Sequence, residues 1–206
     1  MCKFFSAIVK RDLEVVHAVE IDDSHESIIK KYKLKDDKLI NRDFVRLELT
    51  PKDNDVFNHK ITNWNYEVDE EGTLPKWYKD KEIEITKRAY KVLRQIFKEQ
   101  FLIDAEIEEL LGNVKYVKNS KINILRGKVG EMWDSSQVGS MSDSSQVGKM
   151  WGSSQVGSMW GSSQVKQTDG DITINIWSPK AKVIKQGKHT VVIERCWDSK
   201  PKVSVK

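Results

Sequence analysis

Three tryptophans stand at the same position of a nine-residue repeat, and they are the residues best suited to binding chemistry. Trp133, Trp151 and Trp160 each follow a methionine and take the fifth position of their repeat. If the methionines point into a core, the tryptophans point outward, where an indole ring can stack on a sugar or a nucleobase or anchor a protein partner. The alternative is a structural role, in which the rings lie flat over neighbouring strands or pack on another domain. Ser142 takes the fifth position in one repeat, so a tryptophan is not indispensable there.

Basic residues are concentrated in the second half of the chain. Residues 114–206 contain 15 lysines and arginines against 7 acidic residues, whereas residues 1–113 contain 20 against 24. A positive surface of this kind can bind RNA or another polyanion. A structural alternative is that the lysine-rich final strands protect the end of a sheet from edge-to-edge association. The lysines that we single out as candidate binding residues are Lys149, Lys180, Lys182, Lys185 and Lys188.

Residue types that catalyse reactions are present but form no recognisable set. Cys2 would become an N-terminal nucleophile if Met1 were removed, but the glycine-rich start typical of N-terminal nucleophile hydrolases is missing. His25 and Glu26 are adjacent in a predicted helix, so their side chains point in different directions, and no second metal ligand follows four residues later. We therefore predict no catalytic residues, no enzymatic activity and no cofactor.

Two aspartates invite comparison with calcium-binding β-rolls, which also repeat every nine residues. Asp134 and Asp143 occupy the sixth position of their repeats, but Gly152 and Gly161 replace the aspartate in the other two. Calcium takes roughly six to eight oxygen ligands, so such rolls need an aspartate in nearly every repeat. The ligand count is too low here, and we predict no metal site.

Four nine-residue units follow one another without a gap and predict a parallel β-solenoid, or β-helix. Valine is invariant at position one and methionine at position four, so both should point inward, whereas position three is Glu, Ser or Lys and should face solvent. Disorder is the competing hypothesis for a segment so rich in Gly, Ser and Gln, but the strict phasing of valine and methionine favours a buried column. The units are VGEMWDSSQ (129–137), VGSMSDSSQ (138–146), VGKMWGSSQ (147–155) and VGSMWGSSQ (156–164), and looser units begin at Val114, Ile122, Val165 and Ile172.

One coil of this solenoid should contain two repeats, because nine residues are too few to travel around a coil and return. Two repeats per coil place Trp133 over Trp151 and Ser142 beside Trp160. Three repeats per coil, the alternative, place Trp133 over Trp160. Asp or Gly followed by two serines predicts a corner.

The first part of the chain predicts a domain of a different kind. Residues 3–9 and 13–19 predict a β-hairpin, and residues 24–32 a short helix with Ser24 as its N-cap. Residues 44–50 and 64–69 alternate like half-buried strands. A long amphipathic helix follows Pro75, and a second short helix runs from about Asp104 to Gly112. The predicted apolar face of the long helix comprises Ile85, Ala89, Val92, Ile96 and Phe97.

These elements divide the chain into two domains. Residues 1–112 form an α+β domain of ββαββα-like order followed by a short helix, and residues 113–206 form the solenoid with basic capping strands. The capping strands are predicted at 171–178, 181–185, 189–195 and 201–205.

Several segments resemble proteins encoded by bacteriophages and prophages. They are MCKFFSAIV, DSHESIIKKYKL, RDFVRLELTP and LPKWY, followed by the tandem VGxMWxSSQ units. The resemblance covers nearly the whole chain and carries over no catalytic residues. It implies a small phage protein that binds a host factor, such as an inhibitor of a CRISPR system or of another defence.

The expected partner is therefore a host protein or ribonucleoprotein complex, which the chain would block sterically or electrostatically. The alternative function is a structural or adhesive protein whose solenoid self-associates. With two cysteines, no signal peptide and no apolar run of about 18 residues, we expect the protein in the cytoplasm of an infected bacterium, away from the membrane.

Overall fold

The chain folds as two compact units, Met1–Glu99 and Gln100–Lys206. The computed structural model describes residues 5–20, 22, 24–35, 43–70, 72–195 and 201–206. The first unit contains a small sheet with helices, and the second is a parallel β-solenoid of about 5 turns, which confirms the predicted fold class. Among these residues there is no helix long and apolar enough to cross a membrane.

The described part of the first unit forms a four-stranded antiparallel sheet and three α-helices. Its elements are β1 (Phe5–Lys10), β2 (Val15–Val16), α1 (His25–Tyr32), β3 (Phe44–Pro51), a 3₁₀ turn (Ile61–Asn63), β4 (Trp64–Val68), α2 (Lys76–Lys79) and α3 (Glu82–Gln100). The strand order is β2-β1-β3-β4. The predicted hairpin and the two half-buried strands are confirmed. The Ser24 cap is confirmed too, because its Oγ accepts a hydrogen bond from the Ser27 backbone N–H at 3.2 Å.

The long helix predicted after Pro75 is divided into α2 and α3. The buried residues of α3 are Ile85, Ala89, Leu93, Ile96 and Phe97. The prediction of Val92 in this face is wrong, because Leu93 lies four residues after Ala89 and continues the buried stripe. An aromatic cluster forms part of the core of this unit, with the Phe5 and Trp64 ring centroids 5.3 Å apart.

The solenoid consists of two sheets, and the chain alternates between them. The six-stranded sheet contains β5 (Phe101–Ile103), β7 (Asn113–Lys118), β9 (Lys128–Trp133), β11 (Gln146–Gly152), β13 (Gln164–Gly170) and β15 (Lys182–Lys185). The seven-stranded sheet contains β6 (Glu106–Leu110), β8 (Lys121–Leu125), β10 (Gln137–Met141), β12 (Gln155–Met159), β14 (Ile172–Ile176), β16 (Thr190–Glu194) and β17 (Lys202–Val205). All pairs in both sheets are parallel except β16 with β17, which is antiparallel.

Two nine-residue repeats make one coil, as predicted. Val129 pairs with Val147 on the six-stranded sheet, and Val138 pairs with Val156 on the seven-stranded sheet, each 18 residues further along the chain. The assignment of the last looser unit is wrong by two residues, because Ile174 pairs with Val156 in place of Ile172.

The short helix predicted from Asp104 to Gly112 is wrong, because β6 occupies this segment. Ile107 pairs with Ile122 and Leu110 with Leu125, which are buried residues of β8. The glutamates of β6 point outward and form hydrogen bonds there. Glu106 and Glu109 accept hydrogen bonds from Lys121 at 2.7 Å and from Arg126 at 2.6 Å. The second compact unit therefore begins at Gln100, earlier than the boundary expected after residue 112.

The interior of the solenoid is formed by positions one, four and eight of the repeat. The valines at position one and the methionines at position four are buried, as predicted. Position eight was not predicted to be buried, yet Ser136, Ser145, Ser154 and Ser163 are. Ser136 Oγ donates to the Trp133 carbonyl oxygen at 2.6 Å, and Ser154 Oγ to that of Trp151 at 2.7 Å. These hydrogen bonds stabilise the corners after β9 and β11.

Position six turns the chain at each corner in the left-handed backbone region. The φ angle is 57° at Asp134, 56° at Asp143, 67° at Gly152 and 62° at Gly161. Glycine adopts this conformation at no steric cost, and aspartate tolerates it better than most residues. The exchange of Asp and Gly at this position therefore has a backbone explanation that involves no ligand.

Candidate binding surfaces

Trp133 and Trp151 form a stacked pair on the six-stranded sheet. Their ring centroids lie 5.5 Å apart at an interplanar angle of 29°, which is the stacking expected for two repeats per coil. Trp133 Nε1 donates a hydrogen bond to Glu131 Oε2 at 3.0 Å, and Lys149 Nζ lies 5.8 Å from the centre of the Trp151 ring. Both rings are half-buried and held by neighbouring side chains.

Trp160 belongs to the other sheet, where it stacks on a residue that sequence analysis missed. The Trp160 and Trp177 centroids lie 5.6 Å apart at an angle of 14°, and Arg195 Cζ lies 5.6 Å from the centre of the Trp177 ring. The three tryptophans singled out in the sequence therefore do not share one face. Ile176 pairs with Met159 and therefore takes position four, which places Trp177 at position five. Only this pairing of β14 identifies Trp177 as a member of the tryptophan series.

The candidate lysines lie on the last coils, apart from Lys149. Lys149 is in β11 and lies 3.9 Å from Glu131 Oε1. Lys182 and Lys185 are in β15, and Lys180 and Lys188 flank this strand. In the part of the chain that the structure describes, none of the four residues around β15 forms an ion pair.

The first coils differ, because several of their basic side chains have acidic partners one coil away. Lys121 lies 2.7 Å from Glu106, and Arg126 contacts Glu109 at 2.6 Å and Asp143 at 2.8 Å. The hydrogen bonds that Lys121 and Arg126 donate to these carboxylates raise the pKa of both side chains. The positive charge of the solenoid is thus balanced in the first coils and unbalanced around β15. We call Lys180, Lys182, Lys185 and Lys188 the terminal lysine cluster.

Other residues considered for catalysis or metal binding, His25 and Asp134, contact neighbouring backbone or charged side chains. His25 is buried, its Nε2 donates to the Leu47 carbonyl oxygen at 3.0 Å, and its Nδ1 lies 3.2 Å from Asp69 Oδ2. Asp134 lies 3.7 Å from Lys118 Nζ. Cys2 lies outside the described residues. Within those residues, no three His, Cys, Asp or Glu side chains are grouped so that they could hold a metal ion.

Desolvation lowers the pKa of two other histidines, the half-buried His17 and the exposed His59. The His59 ring stacks on Phe97, with centroids 4.3 Å apart. Both residues belong to the first unit.

Comparisons with known proteins gave no match, whether against protein-family models, curated proteins or solved structures. The assignment of binding surfaces therefore depends on the geometry and charge of this chain.

Proposed function

We propose that the protein is a non-enzymatic, phage-type binding protein that inhibits a nuclease of a host defence system, of the CRISPR type, by occupying it or its RNA-bound complex. The binding surface in this proposal is the terminal lysine cluster. Its supporting observation is the unbalanced charge around β15, which contrasts with the paired charges of the first coils. Because nuclease complexes expose phosphates and acidic metal-binding sites, the cluster is suited to binding them: its four exposed ammonium groups lie on β15 and beside it, and none forms an ion pair with a described residue.

The terminal lysine cluster is held in place by the sheet. Lys182 pairs with Gln164 and Lys185 with Gln167, so the backbone of β15 is fixed against β13. The two lysines are three residues apart in one short strand, and Lys180 and Lys188 extend the positive charge to both of its ends. Fixed cations lose less conformational freedom on binding than cations on a mobile tail. Inhibition would then follow from steric and electrostatic blocking.

We expect substitution of the four lysines of the cluster by glutamine to abolish inhibition without unfolding the chain. Each lysine removed should lower the slope of log affinity against log salt concentration by about 0.7 to 0.9 for a nucleic-acid partner. The measurement is a pull-down of the tagged protein from a lysate of cells with an active CRISPR system, with and without ribonuclease, beside the plating efficiency of a phage which that system restricts.

The matched control removes the same number of positive charges from the first compact unit. Lys79, Lys87, Lys91 and Lys98 are exposed residues of α2 and α3, and their substitution by glutamine should leave inhibition intact. Equal inhibition by both quadruple variants, or restriction of the phage in the presence of the wild-type protein, would refute the proposal.

Self-association is the second candidate function, and exposed apolar residues on the last strand of each sheet favour it. Ile184 in β15 and Val203 and Val205 in β17 are 58%, 60% and 65% exposed. β15 is the last strand of its sheet, and no other described strand pairs with its outer edge, which can therefore pair with another chain. Sedimentation of the wild-type protein distinguishes the two functions, because end-to-end stacking produces a concentration-dependent increase in mass that Ile184→Lys removes.

A further inference from the structure

The two sheets of the solenoid end differently after the last coil. In the seven-stranded sheet, β17 pairs with β16 in the antiparallel direction and covers its outer side. Gln186 holds β17 there, because its Nε2 donates to the Ser204 carbonyl oxygen at 3.0 Å and its Oε1 accepts from Ser204 Oγ at 2.7 Å. In the six-stranded sheet, β15 is the last strand, and no other described strand pairs with its outer side. We call this outer side the β15 edge.

The β15 edge offers backbone groups to a further strand. The Lys182 N–H donates to the Ser163 carbonyl oxygen at 3.2 Å, on the side of β13. Backbone groups of successive residues in a paired strand point to opposite sides, so the N–H groups of Val183 and Lys185 point to the β15 edge. An extended polypeptide adds to such an edge through main-chain hydrogen bonds.

The buried column of valines also ends incompletely at β15. Val129, Val147 and Val165 are 1%, 0% and 0% exposed, because each lies between two coils. Val183 continues this column but is only half-buried, since β13 is the one described strand that pairs with β15. Ile184, beside it, is 58% exposed. A polypeptide strand on the β15 edge would cover Val183 with an apolar side chain, whereas the phosphates of a nucleic acid would leave it exposed.

Earlier coils show which side chains lie opposite a lysine in these sheets. Lys121, at position nine, pairs with Glu106 of the neighbouring strand, and its ammonium lies 2.7 Å from that carboxylate. Lys149, at position three, pairs with Glu131, and its ammonium lies 3.9 Å from that carboxylate. In both cases an acidic residue of the adjacent coil balances the lysine.

Lys182 takes position nine of the last coil, and Lys185 takes position three. On the β13 side they pair with the neutral residues Gln164 and Gln167. A strand on the β15 edge would therefore balance their charge if it had an acidic residue at each of these two positions. With an apolar residue opposite Val183, the complementary sequence is acidic, apolar, any residue, acidic.

We propose that the β15 edge binds an extended acidic segment of the partner protein, which adds to the six-stranded sheet as a parallel strand. This inference rests on the proposed function, because it names the kind of segment that the terminal lysine cluster recognises in the host nuclease. Lys182 and Lys185 contact its carboxylates, and the lysines on both sides of β15 attract it. A second copy of the chain is a poorer occupant, because the glutamates of its acidic strand β6 are already hydrogen-bonded within the solenoid.

Strand β6 nevertheless supplies the probe, because its sequence has the complementary order when it is taken out of the solenoid. Residues 106–109 read Glu, Ile, Glu, Glu. The probe is a dye-labelled peptide with the sequence of residues 104–112, DAEIEELLG, and its binding to the whole protein is measured by fluorescence anisotropy. We expect binding by the wild type, together with slower hydrogen exchange at the Val183 and Lys185 amides.

A double variant tests the two lysines of β15. We expect the Lys182→Gln, Lys185→Gln protein to bind the peptide roughly 2- to 30-fold more weakly than the wild type, the loss that two exposed ion pairs imply. The matched control is the Lys128→Gln, Lys166→Gln protein, whose substituted lysines are exposed but lie in inner strands of the same sheet. It should bind the peptide as the wild type does.

Two altered peptides separate strand pairing from charge. By the alternation of backbone groups, the N–H of Glu108 in the bound peptide points to β15. The Glu108→Pro and Glu108→Gln peptides both lack one negative charge, but only the proline peptide lacks this N–H. We expect the proline peptide to lose binding and the glutamine peptide to keep it. Equal binding of the two peptides by the wild type would show that charge alone attracts them, and the inference would be wrong.

Three further results decide between this inference and its alternatives. Binding of a labelled hexauridine RNA, with no binding of the peptide at up to about 1 mM, would assign the terminal lysine cluster to nucleic acid and overturn the inference. Self-association of the wild type that the peptide does not reverse and that Ile184→Lys removes would assign the β15 edge to a second copy, which also overturns it. Peptide binding by a protein that leaves phage restriction unchanged would support the β15 edge as a site and refute only the proposed function.

Discussion

The Gly127→Ala variant is expected to lose about 3 kcal/mol or more of solenoid stability, the upper part of the range for overpacking a full site. A Cβ atom on Gly127 would lie 1.7 Å from the Gly112 carbonyl oxygen and 2.7 Å from that of Leu111. Both neighbours are backbone, so no side-chain rotation can relieve the clash. The corner between β8 and β9 would have to move away from the preceding corner, which breaks the hydrogen bond from Gly127 N–H to the Leu110 carbonyl oxygen at 3.0 Å.

The control for this variant is Gly112→Ala, a substitution of the residue that a Cβ on Gly127 would clash with. A Cβ on Gly112 meets nothing within 4 Å, so Gly112→Ala should be neutral or slightly stabilising because it restricts the unfolded chain. Urea unfolding followed by circular dichroism measures the overall loss, and hydrogen exchange of the β8 and β9 amides assigns it to the solenoid. Similar stabilities of the two variants would show that these corners do not stack as closely as described.

The Met150→Ala variant is expected to destabilise the solenoid by about 2–5 kcal/mol. Met150 is fully buried and pairs with Met132 in one neighbouring coil and Thr168 in the other. Its removal leaves a cavity between coils that the rigid sheet cannot close. Because Trp151 is the next residue, loss of this packing should also disturb the Trp133–Trp151 stack, visible as a change in near-ultraviolet circular dichroism.

Two controls show whether the effect comes from lost volume. Met150→Leu keeps most of the volume and should cost less than about 1.5 kcal/mol. Lys149→Ala changes the adjacent residue, whose side chain points out of the same strand, and should change stability by less than about 0.5 kcal/mol. If Lys149→Ala were as damaging as Met150→Ala, the inward and outward assignments of β11 would be wrong.

The nine-residue period by itself determined much of this protein. The conserved valine and methionine are large and apolar and recur at fixed spacing, so they indicated the buried positions. The variable third position indicated the solvent side. From this pattern the solenoid, the two-repeat coil and the stacking of Trp133 on Trp151 could all be predicted, because each depends only on which residues recur.

Only the tertiary structure decided the positions that depend on neighbouring coils. The segment from Asp104 to Gly112 is rich in helix-forming residues, yet it is a strand because β8 offers it backbone partners and cations for its glutamates. Trp177 lies 17 residues after Trp160, and only the shortened pairing of β14 brings the two rings together. Likewise, the tryptophans lie on two different sheets because the chain passes from one sheet to the other within each coil. The repeat specifies whether each residue of a strand points inward or outward. A binding surface is formed by side chains from different coils, and the register of the sheet decides which of them are neighbours.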